Sequence, residues 1–214
     1  MRVRVKICGI TNYHDALSAV RLGVDALGFV FAPSPRQIAP QEARVIVRSL
    51  PPFVQTVGVF VNEDPTAIRE ITHICGLDLI QLHGDEPPEV CGAFMPRTIK
   101  AFQLKDSVSL QSIKPYRGKV RAFLFDTYSK GKRGGTGETF DWDLAIKGKR
   151  LGVPIILSGG ITPSNMESAI YTVKPHAIDV NSGIEADLGK KSPVLMRKLM
   201  QTARRIAVGG SVHD

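Results

Sequence analysis

Eight short apolar segments alternate with helical patterns along this chain of 214 residues, and this alternation constrains the fold more than any other feature. The segments combine β-branched, aromatic and leucine residues, as the strands of a buried sheet do. Parallel strands need crossover connections, which are usually helices. We therefore predict a parallel sheet with strands at 3–8, 26–31, 56–61, 77–82, 98–102, 122–125, 153–157 and 177–180.

Helical patterns fill several of the intervals, at 13–22, 40–49, 65–74, 163–173 and 192–207. Three of them open with a capping residue followed by proline: Asp64-Pro65, Thr162-Pro163 and Ser192-Pro193. Eight strand–helix units can close into an α/β TIM barrel, (β/α)8. The alternative is an open doubly wound sheet, but the first predicted strand is not followed by the G-x-G-x-x-G turn of dinucleotide-binding sheets. We therefore predict a single-domain barrel over residues 1–214.

The chain has a formal charge of +8, but its Lys and Arg residues are scattered. Only 130–133 and 147–150 are densely basic, and neither run is interleaved with the aromatic residues of a nucleic-acid surface. We therefore expect no nucleic-acid partner. The charge fits a solvated surface or the steering of an anionic substrate.

The three cysteines, Cys8, Cys75 and Cys91, are widely spaced and odd in number. This pattern predicts neither a disulfide framework nor a zinc site. The N-terminus lacks the apolar core of a signal peptide, and no run is as long as a transmembrane helix. We expect a cytoplasmic protein with no metal and no membrane association.

Two segments near the C-terminus each end a predicted strand in small residues. They are Leu157-Ser158-Gly159-Gly160-Ile161 and Asp179-Val180-Asn181-Ser182-Gly183-Ile184. Glycine lets the backbone approach an anion closely, and helix N-termini supply unpaired N–H groups. In TIM barrels the loops after strands seven and eight often bind phosphate. The sequence therefore predicts a small phosphorylated metabolite as the ligand.

Cys8, His83 and Asp126 end predicted strands one, four and six, so a barrel would bring them to the same rim. Cys8 suits a general base or a buried packing residue. Asp126 suits a general acid, or alternatively a helix cap or a loop salt bridge. His83 either orients a substrate or bonds to the backbone. Lys6 shares a strand face with Cys8, and it either lowers the pKa of the thiol or pairs with Asp179 inside the barrel.

Two loops carry further candidates. Arg36 lies in Ala32-Pro33-Ser34-Pro35-Arg36, where two prolines stiffen the chain, and a guanidinium can bind a carboxylate bidentately. An exposed arginine without a role is the alternative. The cluster Gly134-Gly135-Thr136-Gly137 is either a third anion-binding turn or, as we favour, a flexible lid.

Taken in order, these motifs resemble the N-(5′-phosphoribosyl)anthranilate isomerase family of the tryptophan pathway. The resemblance runs across nearly the whole chain. At its C-terminal end Asn181 stands where the family more often has serine, in Asp-Val-Asn-Ser-Gly-Ile-Glu. The motifs that carry it are Lys6-Ile7-Cys8-Gly9-Ile10-Thr11, Gly28-Phe29-Val30-Phe31 with Ser34-Pro35-Arg36, Val57-Gly58-Val59-Phe60-Val61-Asn62, Gln81-Leu82-His83-Gly84, Gly134-Gly135-Thr136-Gly137 and Leu157-Ser158-Gly159-Gly160-Ile161.

The resemblance implies a cofactor-free Amadori rearrangement of an aminoaldose into an aminoketose, carried out by a monomer or a homodimer. It assigns Asp126 as the acid for the ribose ring oxygen and Cys8 as the base for the C2′ proton. It implies that Arg36 holds the anthranilate carboxylate. The other expected substrate-binding residues are Gln81, His83 and Asp179, and the expected phosphate-binding residues are Gly159, Gly160, Asn181, Ser182 and Gly183.

Other functions share parts of this pattern. Indole-3-glycerol-phosphate synthase would be expected to have catalytic lysines at strand ends, and ribulose-phosphate 3-epimerase a metal-binding His/Asp set. Neither pattern is clear in this sequence. A non-catalytic sensor would keep the phosphate loops without needing Cys8 and Asp126 together, so measured turnover separates it from an enzyme.

Overall fold

The computed structural model describes residues 3–104, 109–126 and 142–209. Eight parallel strands close into a barrel in chain order, and the last strand pairs with the first. This confirms the predicted TIM barrel. The strands are β1 (Arg4–Ile7), β2 (Ala26–Val30), β3 (Gln55–Phe60), β4 (Leu79–Leu82), β5 (Thr98–Gln103), β6 (Ala122–Asp126), β7 (Ile155–Ser158) and β8 (Ala177–Val180).

A helix follows each strand. The helices are α1 (Tyr13–Arg21), α2 (Pro40–Arg48), α3 (Pro65–Cys75), α4 (Pro88–Gly92), α5 (Ser109–Ile113), α6 (Trp142–Gly148), α7 (Met166–Val173) and α8 (Pro193–Gly209). Single 3-10 turns lie at Lys114–Tyr116, Lys149–Leu151 and Ser182–Ile184. No helix in the described ranges is long and apolar enough to cross a membrane.

The predicted helix starts are correct at two of three positions. The Asp64 side chain accepts hydrogen bonds from the N–H groups of Thr66 and Ala67, and α8 begins at Pro193 after Ser192. The predicted start at Pro163 is wrong, because α7 begins at Met166. The Asn165 side chain accepts from the Thr162 N–H at 2.8 Å and donates to the Gly160 carbonyl at 2.9 Å. These bonds hold the intervening residues in a turn.

Strand boundaries differ from the predicted ones by up to two residues. The largest shifts are at the starts of β4 and β7, which begin at Leu79 and Ile155. Leu77 is apolar, as a strand residue would be, but its N–H donates to the Thr72 carbonyl at the end of α3. Backbone hydrogen bonds of the preceding helix therefore decide where β4 starts.

The core has two layers. The larger layer lies between the outer face of the barrel and the helices, with residues such as Phe29, Phe123 and Leu199 fully buried. The smaller layer fills the barrel interior with the side chains of Val57, Ile99, Ala101, Ala122, Leu124 and Ile156. This second layer closes the middle of the barrel, so polar side chains are left for its ends.

A short antiparallel hairpin that the sequence did not predict follows β8. Its strands are β9 (Glu185–Asp187) and β10 (Lys190–Lys191). Two bonds tie the hairpin to the first βα loop and to α1: the Thr11 hydroxyl donates to the Gly189 carbonyl, and the Lys191 N–H donates to the Asp15 carboxylate, both at 2.8 Å. The hairpin therefore brings Lys191 close to Cys8 and Glu185 onto Arg36. The predicted lid, Gly134-Gly135-Thr136-Gly137, and the basic run 130–133 lie outside the described residues.

Candidate active site

A cavity of about 330 Å³ opens at the carboxyl ends of the strands. This is the end at which TIM barrels carry their reactive groups. All but one of the predicted site residues line it: Cys8, Gln81, His83, Asp126, Gly159, Gly160, Asp179, Asn181, Ser182 and Gly183. The exception, Arg36, lies beside the cavity, where its side chain covers Gly9.

Cys8 follows β1 and is only 5% exposed. Space for its side chain comes from Gly28 on β2, where an added Cβ would lie 2.8 Å from the Cys8 Sγ. Burial raises the pKa of the Cys8 thiol, and the neighbouring Lys6 cation lowers it by less. The effect expected of Lys6 is therefore present, but burial outweighs it, and the thiol form of Cys8 is favoured near neutral pH.

Lys6 forms the interior ion pair that was one of its two predicted roles. Its Nζ lies 3.0 Å from Asp179 Oδ1, and both side chains are almost fully buried. Burial alone would lower the pKa of Lys6, but Asp179 and Cys8 outweigh this effect and raise it. Lys6 is therefore a buried cation held against Asp179, which lines the cavity. Its Nζ also donates to Gln81 Oε1 at 2.8 Å.

His83 lies between Gln81 and Asp126. Its Nδ1 lies 2.9 Å from Gln81 Nε2, and its Nε2 lies 4.0 Å from Asp126 Oδ2. Burial lowers the pKa of His83, and the Asp126 carboxylate opposes this effect only partly. The imidazole is therefore neutral at neutral pH.

The two glycine loops lie against each other. Gly159 and Gly160 have φ values of 92° and 62°, which L side chains rarely adopt. A Cβ at Gly183 would overlap the backbone carbonyl oxygen of Ile161. Close backbone packing therefore joins the loop after β7 to the loop after β8, as the predicted phosphate site requires. A turn of three residues separates the first loop from α7, so the expected direct entry into a helix is absent there.

Glu185 and Lys191 are site residues that the sequence reasoning missed. Glu185 accepts from Arg36 Nε at 2.7 Å, Arg36 Nη2 at 2.6 Å and Lys191 Nζ at 2.9 Å. Lys191 also donates to Asn181 Oδ1 at 2.8 Å. This group links Arg36 to the second glycine loop. The available signal was the Glu at the end of the Asp-Val-Asn-Ser-Gly-Ile-Glu block, whereas nothing local marked Lys191.

A larger cavity, of about 820 Å³, opens at the opposite end of the barrel. Its described lining is mainly apolar and includes neither Cys8, Asp126 nor the glycine loops. Size alone would favour this cavity, but the reactive side chains place the candidate site at the other end.

Within the described residues, no group of three His, Cys, Asp or Glu side chains is arranged to hold a metal ion. The expected absence of a metal stays a prediction.

Comparisons with known proteins agree with this geometry. The family model for N-(5′-phosphoribosyl)anthranilate (PRA) isomerase matches residues 5–202. The N-(5′-phosphoribosyl)anthranilate isomerase of Geobacter sulfurreducens is 52% identical over 203 residues, which cover 94% of this chain and 98% of the relative. The chain belongs to the phosphoribosylanthranilate isomerase family. The family resemblance inferred from the ordered motifs is thus confirmed.

Solved structures of phosphoribosylanthranilate isomerases share the fold. One, in complex with reduced 1-(o-carboxyphenylamino)-1-deoxyribulose 5-phosphate, is 42% identical and superposes with a TM-score of 0.85. Another is of monomers generated from the dimeric enzyme of Thermotoga maritima, with 41% identity and a TM-score of 0.84. Each comparison covers 95% of this chain and 99% of the other.

Proposed function

We propose that this chain isomerises N-(5′-phosphoribosyl)anthranilate to 1-(2-carboxyphenylamino)-1-deoxyribulose 5-phosphate, an Amadori rearrangement in tryptophan biosynthesis. One observation carries the proposal: a single cavity contains Cys8, Asp126 and two touching glycine loops. An acid, a base and a phosphate cradle are what this rearrangement of a phosphorylated aminoaldose requires.

The two ends of the substrate are held by different parts of the rim. Backbone groups of Gly159, Gly160, Ser182 and Gly183 bind the phosphate, and Asn181 shapes the second loop through its bond to Lys191. At the other end Arg36 binds the anthranilate carboxylate. Glu185 accepts from Arg36 Nε–H and one N–H of Nη2, and the opposite fork of the guanidinium, formed by one N–H each of Nη1 and Nη2, is the pair of donors proposed for this carboxylate.

Ring opening is the first chemical step. Asp126, protonated, gives its proton to the ribose ring oxygen O4′ as the C1′–O4′ bond breaks. The nitrogen lone pair forms the C1′=N bond, so the sugar opens to a Schiff base with a positive nitrogen. Such a cation acidifies the neighbouring C2′ proton. His83 lies beside Asp126 and is placed to bind the sugar oxygens there.

Proton abstraction is the second step. Cys8, as thiolate, takes the C2′ proton. The electrons of the broken C2′–H bond form the C1′=C2′ double bond, and the electrons of the C1′=N π bond return to nitrogen. The resulting enolamine becomes the ketone when O2′ loses a proton and C1′ gains one. The atoms of substrate and product balance, with no oxidant, reductant or cofactor consumed. Gln81 and Asp179 line the cavity beneath the sugar and support Cys8 through Lys6.

We further propose a cytoplasmic homodimer formed from single-domain chains of residues 1–214, with no nucleic-acid partner. The dimer is supported by the Thermotoga maritima relative, which is a dimeric enzyme. The cytoplasm is supported by the three cysteines, which are all free and buried. Light scattering on the protein as it elutes from a size-exclusion column should give twice the chain mass of 23.3 kDa. The mass of a monomer would contradict the dimer.

A direct assay tests the activity. Purified protein is mixed with freshly made phosphoribosylanthranilate, and loss of the anthranilate fluorescence of the substrate is followed while the product is identified by mass and retention time. We expect rapid conversion by the wild type and none above background by Cys8→Ala. Folded wild-type protein without conversion would contradict the proposed function and would favour a non-catalytic sensor.

A further inference from the structure

Hydrogen bonds link three buried or half-buried polar side chains, of which Gln81 and His83 line the cavity. Lys6 Nζ donates to Gln81 Oε1 at 2.8 Å, and Gln81 Nε2 lies 2.9 Å from His83 Nδ1. Lys6 is 4% and Gln81 1% exposed, so water does not compete for these contacts. The direction of each hydrogen bond therefore follows from the chemistry of the groups alone.

Lys6 decides the direction of the whole chain. An ammonium group has donors and no acceptor, so Gln81 must face Lys6 with its carbonyl oxygen. The amide NH2 of Gln81 then faces His83 Nδ1, and that nitrogen must accept. In a neutral imidazole the ring proton is consequently on Nε2. This is the nitrogen that lies 4.0 Å from Asp126 Oδ2.

We propose that Lys6 and Gln81 are positioning residues that hold His83 in one tautomer, neutral with its proton on Nε2, and so keep an N–H donor beside Asp126. At 4.0 Å the Nε2–H does not form a full hydrogen bond with the Asp126 carboxylate, so the donor can serve a substrate oxygen. This role rests on the proposed function: the sugar oxygen that receives the Asp126 proton would be bound by His83.

The same contacts oppose protonation of His83. A proton on Nδ1 would set two donors, Nδ1–H and the Gln81 NH2, against each other. The charged groups around the ring act in both directions: Asp126 on β6 and Asp179 on β8 favour an imidazolium, and Lys6 on β1 and Lys100 on β5 oppose it. Burial is the largest effect and lowers the pKa of His83, and the Gln81 contact adds a hydrogen-bonding barrier to its protonation.

Nitrogen-15 NMR of the histidine rings in the substrate-free enzyme tests the tautomer. The chain has five histidines, and His83→Gln identifies the signal of His83 by its loss. We expect the wild-type ring to carry its proton on Nε2 and to titrate below the ordinary pKa of about 6.5. A proton on Nδ1, or titration at the ordinary value, would overturn the proposal.

Gln81→Glu provides the decisive variant. A carboxylate at this position accepts from both Lys6 and His83 Nδ1–H, so the pKa of His83 should rise above about 6.5 and the ring should become an imidazolium at neutral pH. Gln81→Met is the matched control, because it removes the directing amide without adding charge and should give a mixture of tautomers. If Gln81→Glu fails to fold, the expected tautomer mixture in Gln81→Met still decides.

Failure of the positioning role can be distinguished from failure of the proposed function. The NMR signals are recorded without substrate, whereas isomerase activity of the wild type is measured independently. An active enzyme with a His83 signal that is the same in all three proteins would refute the positioning role alone. An inactive wild type with the predicted tautomer would refute the proposed function alone.

Discussion

The Glu185 carboxylate binds the Arg36 guanidinium through both of its oxygens, at 2.7 Å to Nε and 2.6 Å to Nη2. Burial raises the pKa of Glu185, but hydrogen bonds from Arg36 and Lys191 outweigh it and leave the pKa below its ordinary value. The three side chains therefore carry two positive charges and one negative charge. A site with this net positive charge and an oriented guanidinium suits a substrate carboxylate.

Replacing Arg36 should weaken binding of ligands that carry this carboxylate. The test ligand is the reduced product analogue, reduced 1-(o-carboxyphenylamino)-1-deoxyribulose 5-phosphate. For Arg36→Met we expect its affinity to fall by about 1.5 to 3 kcal/mol, or roughly ten- to a hundredfold. Affinity for ribulose 5-phosphate, which has no carboxylate, should change little. Calorimetry with both ligands measures the difference.

The control for Arg36→Met is Arg21→Met, since Arg21 is exposed on α1 and far from the cavity lining. It should leave both affinities unchanged. Equal losses for the two ligands in Arg36→Met would mean that Arg36 serves the phosphate or the fold. Arg36→Lys should recover only part of the affinity, because an ammonium cannot bind two carboxylate oxygens in a fixed plane.

Replacing Cys8 should abolish turnover with little effect on binding. Cys8→Ala removes the proposed general base, a group that acts in the transition state, so kcat should fall by at least about a hundredfold. Calorimetric affinity for the reduced product analogue should stay close to wild type. Cys75→Ala is the matched control, because Cys75 is also buried and free but lies at the end of α3. Retention of most of kcat by Cys8→Ala would make Cys8 a packing residue, with His83 the next candidate base.

The pH profile follows from the raised pKa of the Cys8 thiol. The proposed mechanism requires Asp126 protonated and Cys8 deprotonated, and carboxyl groups ordinarily titrate below thiols. The product of the two fractions rises with pH, is level between the two pKa values and falls above the higher one. We therefore expect a bell-shaped kcat/KM whose alkaline limb lies above the pH range in which an ordinary thiol titrates.

Asp126→Asn should remove that alkaline limb. The amide keeps the shape but cannot deliver a proton, so turnover should collapse, and any residual rate should rise with pH through the titration of Cys8 instead of falling. Circular dichroism checks that the variant is folded. Full activity with an unchanged profile would contradict the acid role and would favour spontaneous ring opening before proton abstraction by Cys8.

A methyl group at Gly183 should weaken phosphate binding. The Cβ of Gly183→Ala would overlap the Ile161 carbonyl, so the two loops must separate. We expect at least about a tenfold loss in affinity for ribulose 5-phosphate, equivalent to roughly one hydrogen bond to a charged group. Gly92→Ala is a fair control, since its Cβ would meet only the flexible Lys119 side chain. An affinity unchanged by Gly183→Ala would place the phosphate elsewhere.

The sequence by itself determined the barrel, because the periodicity of strands and helices is a local property of the chain. Eight apolar segments in alternation with helical patterns all agree with the same fold. It also predicted which residues meet at the rim, since parallel strands of one barrel all end on the same side. For this reason the sequence alone predicted that the rim would bring together Cys8, His83, Asp126 and the two glycine loops. Helix starts were predictable where a side chain caps the helix, as at Asp64, and not at Pro163, where the Asn165 side chain holds a turn instead.

Only the tertiary structure decided the charges and hydrogen bonds of the site. Burial raises the pKa of Cys8 more than the cations Lys6 and Lys191 lower it. The sequence shows that lysines are present, but it does not show how deeply Cys8 is buried. The partner of Arg36 lies 149 residues away on a hairpin that has too few residues to give a periodic pattern. The hydrogen bond from Lys6 to Gln81, which in turn contacts His83, joins strands one and four across the barrel. Such contacts depend on three-dimensional closure, because nothing in the local chain encodes which side chains will face each other there.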